Sequence, residues 1–251
     1  MVDLHCHILP GIDDGAKTKD VSITLLDLEK NQGVDSLVFT PHFKIDKISP
    51  EDFLQARNKS FDELKSVIDY NRFQLNIKLG AEVLFSVSLL NIDLKPFCYQ
   101  DTDYILVELP VKTKPYGLFE VFNAIINDGY IPIIAHIERY PYFAEDPILL
   151  YELVMMGCLT HINAETVIQK NNLHKIVMKY FKWQLVHFVC SDCHSINRRP
   201  PNLKEAYQIL QNSVGKQYTD WLIKNSENVF YGNDVDLSVV KKPKNFLGMW
   251  I

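Results

Sequence analysis

Arginine is scarce in this chain, with five residues among 251, and three of the five stand at positions 139, 198 and 199. Acidic residues outnumber basic ones 31 to 26, for a net charge of −5. That balance disfavours broad binding to a nucleic-acid backbone or an anionic membrane, so neither is expected as a partner. The five cysteines (Cys6, Cys98, Cys158, Cys190, Cys193) are odd in number and follow no framework spacing. They argue for a reducing compartment rather than a disulfide scaffold. Cys190 and Cys193 form a lone C-x-x-C, too little for a zinc site. No uncharged apolar run reaches about 18 residues, so no membrane insertion is expected. The opening Met1-Val2-Asp3-Leu4-His5 has no basic flank or long apolar stretch, so no signal peptide is expected and the cytoplasm is the expected location. No G-x-G-x-x-G follows the first apolar run, which removes a dinucleotide site.

What is present is apolar bulk in a regular arrangement. Hydrophobic residues make up 47% of the chain, enough for a large core. Short apolar runs predict strands over Val2–His5, Ser36–Thr40, Leu75–Val83, Tyr104–Leu109, Ile131–His136, Leu159–Asn163 and His187–Ser191. Amphipathic stretches between them predict helices over Lys17–Gln32, Pro50–Asp69, Tyr116–Asn127, Pro147–Met156, Glu165–Tyr180, Leu203–Gln211 and Lys216–Lys224. Strands alternating with helices imply parallel pairing, and apolar runs suit strands buried on both faces. The expected fold is α/β, a barrel-like (β/α) arrangement in one domain over residues 1–251, with an open doubly wound sheet as the second choice.

In such a barrel the chemistry sits at the carboxyl ends of the strands. Potential metal ligands recur there. His5 and His7 are spaced i, i+2, which in a strand puts both imidazoles on one face and Cys6 on the other. Asp14 follows in a glycine-bracketed turn, where a turn residue or helix N-cap is the ordinary alternative. His42 follows Thr40-Pro41, and His136 ends a strongly apolar run. Glu82 and Glu108 lie in otherwise apolar strands, where a carboxylate needs a cation or a basic partner. Asp192 and His194 repeat the i, i+2 spacing at the last strand. Each is weak singly. Together nine imidazole and carboxylate groups, including five of the eight histidines, predict an open catalytic centre for Mn, Fe or Zn. Nine ligands exceed one ion, so two or three ions sharing bridging carboxylates are expected. His161, His174 and His187 lack partners in the sequence. The first is expected at the rim, the second on a helix surface, the third in or just before the last strand.

The segment Cys193-His194-Ser195-Ile196-Asn197-Arg198-Arg199 also fits C-x5-R, the spacing of a cysteine-dependent phosphatase. That chemistry needs small residues in a phosphate loop opening onto a helix. Here no glycine follows the cysteine and Pro200-Pro201 follows the arginine, so the metal reading is preferred.

The ordered set His5-Cys6-His7-Ile8-Leu9-Pro10-Gly11-Ile12-Asp13-Asp14-Gly15, Thr40-Pro41-His42, Gly80-Ala81-Glu82, Val107-Glu108-Leu109-Pro110, Ala135-His136-Ile137-Glu138-Arg139-Tyr140 and Ser191-Asp192-Cys193-His194 resembles the PHP (polymerase and histidinol phosphatase) superfamily. Within it, the residues resemble the bacterial manganese-dependent protein-tyrosine phosphatases of capsule and exopolysaccharide loci, the CpsB/YwqE type. The resemblance implies a distorted (β/α)7 TIM-like barrel and a trinuclear centre. It implies His5, His7, Glu82 and Asp192 on one ion, Glu82, Glu108 and His136 on the second, and Asp14, His42 and His194 on the third. It implies Arg139 and Arg199 as the catalytic, substrate-phosphate-binding arginines, Arg199 being the one that precedes Pro200-Pro201. Carboxylates at 14 and 108, where many PHP proteins have histidine, favour tyrosine-phosphatase activity over the alternative, a small phosphomonoester such as histidinol phosphate. Cys6, Ile137, Cys193 and Ser195 depart from the usual residues, and none of these removes a ligand. The expected reaction is attack on phosphotyrosine by a metal-bridged hydroxide, since cations lower the pKa of water by many units. The implied partner is the tyrosine-rich tail of a bacterial tyrosine kinase, with the oligomeric state open.

Overall fold

The structure is a computed structural model that describes every residue except 69–72, 170, 236, 238–239, 247–248 and 251. Its centre is a curled parallel sheet. Strands β1 (Val2–Cys6), β2 (Ser36–Phe39), β3 (His42–Phe43), β4 (Asn76–Leu79), β5 (Glu82–Leu84), β6 (Tyr104–Glu108), β7 (Ile131–Ile134), β8 (Leu159–Asn163) and β9 (Phe188–Cys190) follow one another in the chain. The pairings run β1-β2-β4 and β3-β5-β6-β7-β8-β9, all parallel. The predicted strand Leu75–Val83 is thus split at Gly80-Ala81. The two sheets are still one surface. Gly80 N–H donates to Phe39 O at 2.9 Å and Glu82 N–H to Pro41 O at 3.0 Å. At the other edge, Asp192 N–H donates to His5 O and His7 N–H to Cys193 O, both at 2.9 Å. The last strand therefore returns to the first.

Most helices lie where apolar spacing placed them. Pro147–Met156 matches its predicted bounds, and Lys19–Asn31 begins two residues late because Thr18 is its N-cap, accepting from Val21 N–H. The stretch predicted as one helix over Glu165–Tyr180 is two, Ala164–Ile168 and Asn172–Lys182, the second capped by Asn171. Position 170 in that prediction, and Asp69 in the one over Pro50–Asp69, lie outside the described residues. The last helix runs six residues past its predicted end, Lys216–Phe230. Among the described residues no helix is long and apolar enough to cross a membrane.

Two apolar layers result. The larger fills the space between sheet and helices. The smaller lines the inside of the curl with Leu4, Val38, Leu106, Ile133, Leu159 and Phe188, and the helix end Val229-Phe230 closes it. The same inward rows turn polar at the carboxyl ends of the strands. Leu106 is followed two residues on by Glu108, Leu159 by His161, and Cys190 by Asp192. The site therefore rests on an apolar floor.

Candidate metal centre

Two backbone devices aim the ligands. Val2 and Leu4 face the inner cluster while Cys6 joins the outer one. Simple alternation would put Leu4 and Cys6 on one face and send His5 outward. The β1–β2 register slips between Asp3 and Cys6, so that three steps on β1 oppose two on β2, from Leu37 to Phe39. That bulge reverses the parity and turns His5 inward. His136 is the second case. Ala135 belongs to the inner cluster, so extended backbone would point His136 away from it. Instead His136 takes a left-handed φ of 32° and opens a short helical turn, Ile137–Arg139. Asp192 is also left-handed, at φ 50°. Such conformations cost non-glycine residues on the order of 1 kcal/mol or more, and of the described residues that adopt them (Gln74, Asp101, His136, Gln184, Asp192) two are candidate ligands.

The predicted ligands converge. Nε2 of His5 and Nε2 of His7 stand 3.0 Å apart. Glu82 Oε2 is 3.3 Å from the first and 3.2 Å from the second, and Asp192 Oδ1 is 3.5 Å from both. The other oxygen of Glu82 meets His136 Nε2 at 2.9 Å, with Glu108 Oε1 3.7 Å from the same nitrogen. His42 reaches Glu82 Oε2 at 2.9 Å through Nδ1 and Asp14 Oδ1 at 3.3 Å through Nε2. His194 Nε2 lies 3.5 Å from that same Asp14 oxygen. Three sets of donor atoms lie within 4.8 Å of one another: His7, Asp14, His42 and His194; His5, His7 and Asp192; His42, Glu82 and Glu108. Compared with the allocation that the resemblance implies, His7 also borders the Asp14 set, and His42 also borders the glutamates. Asp14 is not a helix cap. It is exposed on its turn and aimed at the two histidines.

The donor set fits cations. His7 Nδ1 meets the Asp13 carboxylate at 2.7 Å and His194 Nδ1 meets Asp192 O at 2.9 Å. Each of those nitrogens carries the proton, leaving both Nε2 atoms as bare lone pairs. His194 Nε2 is buried without a hydrogen-bond partner, and Glu82 Oε2 and His42 Nδ1, although 2.9 Å apart, are not aligned as a hydrogen bond. Packing lone pairs and carboxylates this closely is unfavourable unless a cation or protons occupy the space between them. Burial opposes charge on His7, yet Asp13 and Glu82 outweigh it and raise its pKa well above the ordinary value. Burial likewise works against the Glu82 carboxylate, and His5, His136 and His42 more than reverse it. His194 goes the other way, pushed down to about 3 by burial and then by His7.

Arg139 and Arg199 meet at the far oxygen of Asp192. Arg139 donates to Oδ2 at 2.8 Å, Arg199 donates to the same oxygen, and Asn163 Nδ2 adds a third donor at 2.7 Å. Both arginines are about one-third exposed. A salt bridge from Arg139 to Glu138 or Glu145, the ordinary alternative, does not form. Cys193 is fully buried, with Sγ 3.6 Å from Glu29 Oε1 on the helix Lys19–Asn31. The C-x5-R spacing therefore presents no thiol to the site.

Sequence reasoning missed four supporting residues. Asp13 holds His7 and accepts from Gly15 N–H at 2.8 Å and His42 N–H at 3.2 Å. Its adjacency to Asp14 was the available signal. A β-carbon on Gly15 would stand 2.2 Å from His7 O, so the turn requires glycine to fold this close. His161, expected at the rim, is fully buried with Nε2 2.9 Å from His5 Nδ1. It faces inward because it is two residues from Leu159. Asn163 continues the same row. His174 does lie half-buried on its helix, and His187 directly precedes β9.

Glu138 is the fourth. It is buried, and its Oε1 accepts from Asn163 N–H at 2.9 Å and Thr166 Oγ at 3.1 Å. Burial pushes its carboxyl up to about 7. The folded state then holds this proton more tightly than the unfolded chain, so its contribution to stability is lost as pH rises from the ordinary carboxylate value through 7. Glutamine keeps the accepting oxygen and removes the charge. Glu138→Gln is expected to gain roughly 2 kcal/mol on the parent between pH 5 and pH 8. Denaturant midpoints at the two pH values measure it, and a pH-independent difference contradicts it.

Comparison with known proteins agrees with this geometry. Residues 1–231 match the family model for capsular polysaccharide synthesis, CpsB/CapC. The chain is 31% identical over 240 residues to a tyrosine-protein phosphatase CpsB of Streptococcus agalactiae, covering 91% of this chain and 98% of that protein. It is 31% identical over 240 residues to tyrosine-protein phosphatase YwqE of Bacillus subtilis, covering 90% of each. A solved structure from work on YwqE of Bacillus subtilis and CpsB of Streptococcus pneumoniae, described as unique metal-dependent tyrosine phosphatases, superposes with a TM-score of 0.86. Its identity is 28%, over 98% of this chain and 100% of that one.

Proposed function

The chain belongs to the CpsB/CapC capsular polysaccharide synthesis family, and on that footing we propose that it is a metal-dependent tyrosine-protein phosphatase serving capsule or exopolysaccharide synthesis. The curled sheet is read as a (β/α)7 barrel in one domain over 1–251, with His5, His7, Asp14, His42, Glu82, Glu108, His136, Asp192 and His194 holding two or three Mn2+ ions. Fe or Zn suits the same imidazole and carboxylate donors. The observation that carries this reading is Asp192. One of its oxygens faces His5 and His7, and the other takes Arg139 and Arg199. Metal and phosphate recognition are thereby set side by side on one residue.

Bound cations supply a lowered pKa for water and positive charge beside the phosphoryl group. The remaining work falls to side chains. Glu82 spans the groups, one oxygen toward His136 and the other toward His5, His7 and His42. Arg139 and Arg199 present planar guanidinium forks to the phosphate oxygens and offset the charge that develops during transfer. Asp192 and Asn163 fix where those forks point. A tyrosyl leaving oxygen, with a pKa of about 10, needs less protonation than an alkoxide. The substrate is read as the tyrosine-rich tail of a bacterial tyrosine kinase in the cytoplasm.

The competing small-molecule reading is tested by comparing kcat/KM for a phosphotyrosine peptide and for histidinol phosphate at saturating Mn2+. A preference of about 100-fold or more for the peptide is expected. The opposite order overturns the protein-phosphatase reading and leaves the metal centre standing.

A further inference from the structure

We propose that His161 is a positioning residue that sets the tautomer of His5 and locks the backbone at His136. The inference rests on the metal-centre reading and goes one layer beneath it. His161 Nε2 faces two groups. One is the backbone N–H of His136 at 3.4 Å, which can only donate. The other is His5 Nδ1 at 2.9 Å. Because Nε2 receives a backbone N–H, it is the unprotonated nitrogen of His161. His5 Nδ1 must then carry a proton and donate it, which leaves His5 Nε2 bare. That nitrogen is the one 3.3 Å from Glu82 Oε2 and 3.5 Å from Asp192 Oδ1.

The two histidines of the first strand are thus held differently. His7 has an anionic orienter in Asp13, 2.7 Å from Nδ1. His5 has a neutral one, with its ring edge-on to that of His161 at 4.9 Å between centroids. A neutral acceptor orients an imidazole without drawing its proton as strongly as a carboxylate does. His161 also touches the strained turn. Its acceptor holds the N–H of His136, whose φ of 32° aims that ligand inward. One fully buried side chain on β8 therefore governs ligands from β1 and from the end of β7.

Glutamine and phenylalanine separate this role from packing. The carboxamide oxygen of His161→Gln can stand where Nε2 stands and accept both bonds. His161→Phe keeps an aromatic ring and removes the acceptor. Mn2+ affinity, read by titration into chelator-stripped protein, is expected to fall about 10- to 100-fold in His161→Phe and by no more than about threefold in His161→Gln. A packing role predicts the reverse order. Nitrogen-15 spectra of the parent protein loaded with Zn2+ give the same test without any variant. They are expected to show His161 protonated at Nδ1 and His5 also at Nδ1. Parent-like Mn2+ affinity in His161→Phe, equal loss in both variants, or the opposite His161 tautomer overturns the proposal. A parent protein that binds no metal overturns the underlying reading instead.

Discussion

Glu82→Gln is expected to lower kcat on a phosphotyrosine peptide by about 1,000-fold or more and to reduce the metal retained by the purified protein. Glu82 presents an oxygen to each side of the cluster, Oε1 at His136 and Oε2 at His5, His7 and His42, and at shorter range than Glu108, whose oxygens stand 3.7 Å from His136 and 3.8 Å from His42. Glutamine matches its shape but removes the charge, and its amide nitrogen would face either His136 or the three other imidazoles. A donor placed among bare lone pairs can satisfy one of them and cannot share a cation. Turnover and elemental content measured on one preparation check this together. A variant that keeps its full metal complement and turns over within tenfold of the parent contradicts the bridging role.

Arg139→Ala and Arg199→Ala are each expected to cut kcat/KM by about 100- to 1,000-fold while metal content stays near that of the parent. The reason is geometric. Both guanidiniums share Asp192 Oδ2, and the ligand oxygen Oδ1 on the other side keeps its contacts with His5 and His7 when either arginine is removed. Losses in the double variant are expected to fall short of the product of the singles, because the two arginines share one carboxylate and, on the proposed reading, one phosphate. Lysine in either place recovers little, since an ammonium has no planar fork. Loss of metal in step with activity contradicts phosphate binding and reduces both arginines to props for Asp192.

Much of this site was legible because the candidate ligands are polar residues in apolar surroundings. Glu82, Glu108 and His136 interrupt runs of Val, Ile and Leu, and position alone marked them. The parallel sheet was equally open to reading, since most of its strands are buried on both faces, β4 with Asn76 and Lys78 being the exception. What periodicity could not show was direction. A bulge between Asp3 and Cys6 and a left-handed residue at 136 each reverse the alternation, and neither leaves a glycine or proline as a sign. The split of the third predicted strand at Gly80-Ala81 did carry a glycine, yet the residues on both sides are sheet residues. His161 was misjudged because nothing adjacent in sequence shares its environment. Its partners, His5 and His136, come from other strands, and only the closed curl brings them within hydrogen-bonding distance. The stretch after about residue 213 was silent for the same reason. Val229 and Phe230 read as an ordinary helix end and turn out to close the apolar interior under the site.

The most direct test of a metal-dependent phosphatase is turnover of a phosphotyrosine peptide by chelator-stripped protein as Mn2+ is added back. The account predicts activity near zero without metal, a rise that saturates at two to three equivalents per chain, and loss again on chelation. Full activity in stripped protein, indifferent to added metal, would contradict it.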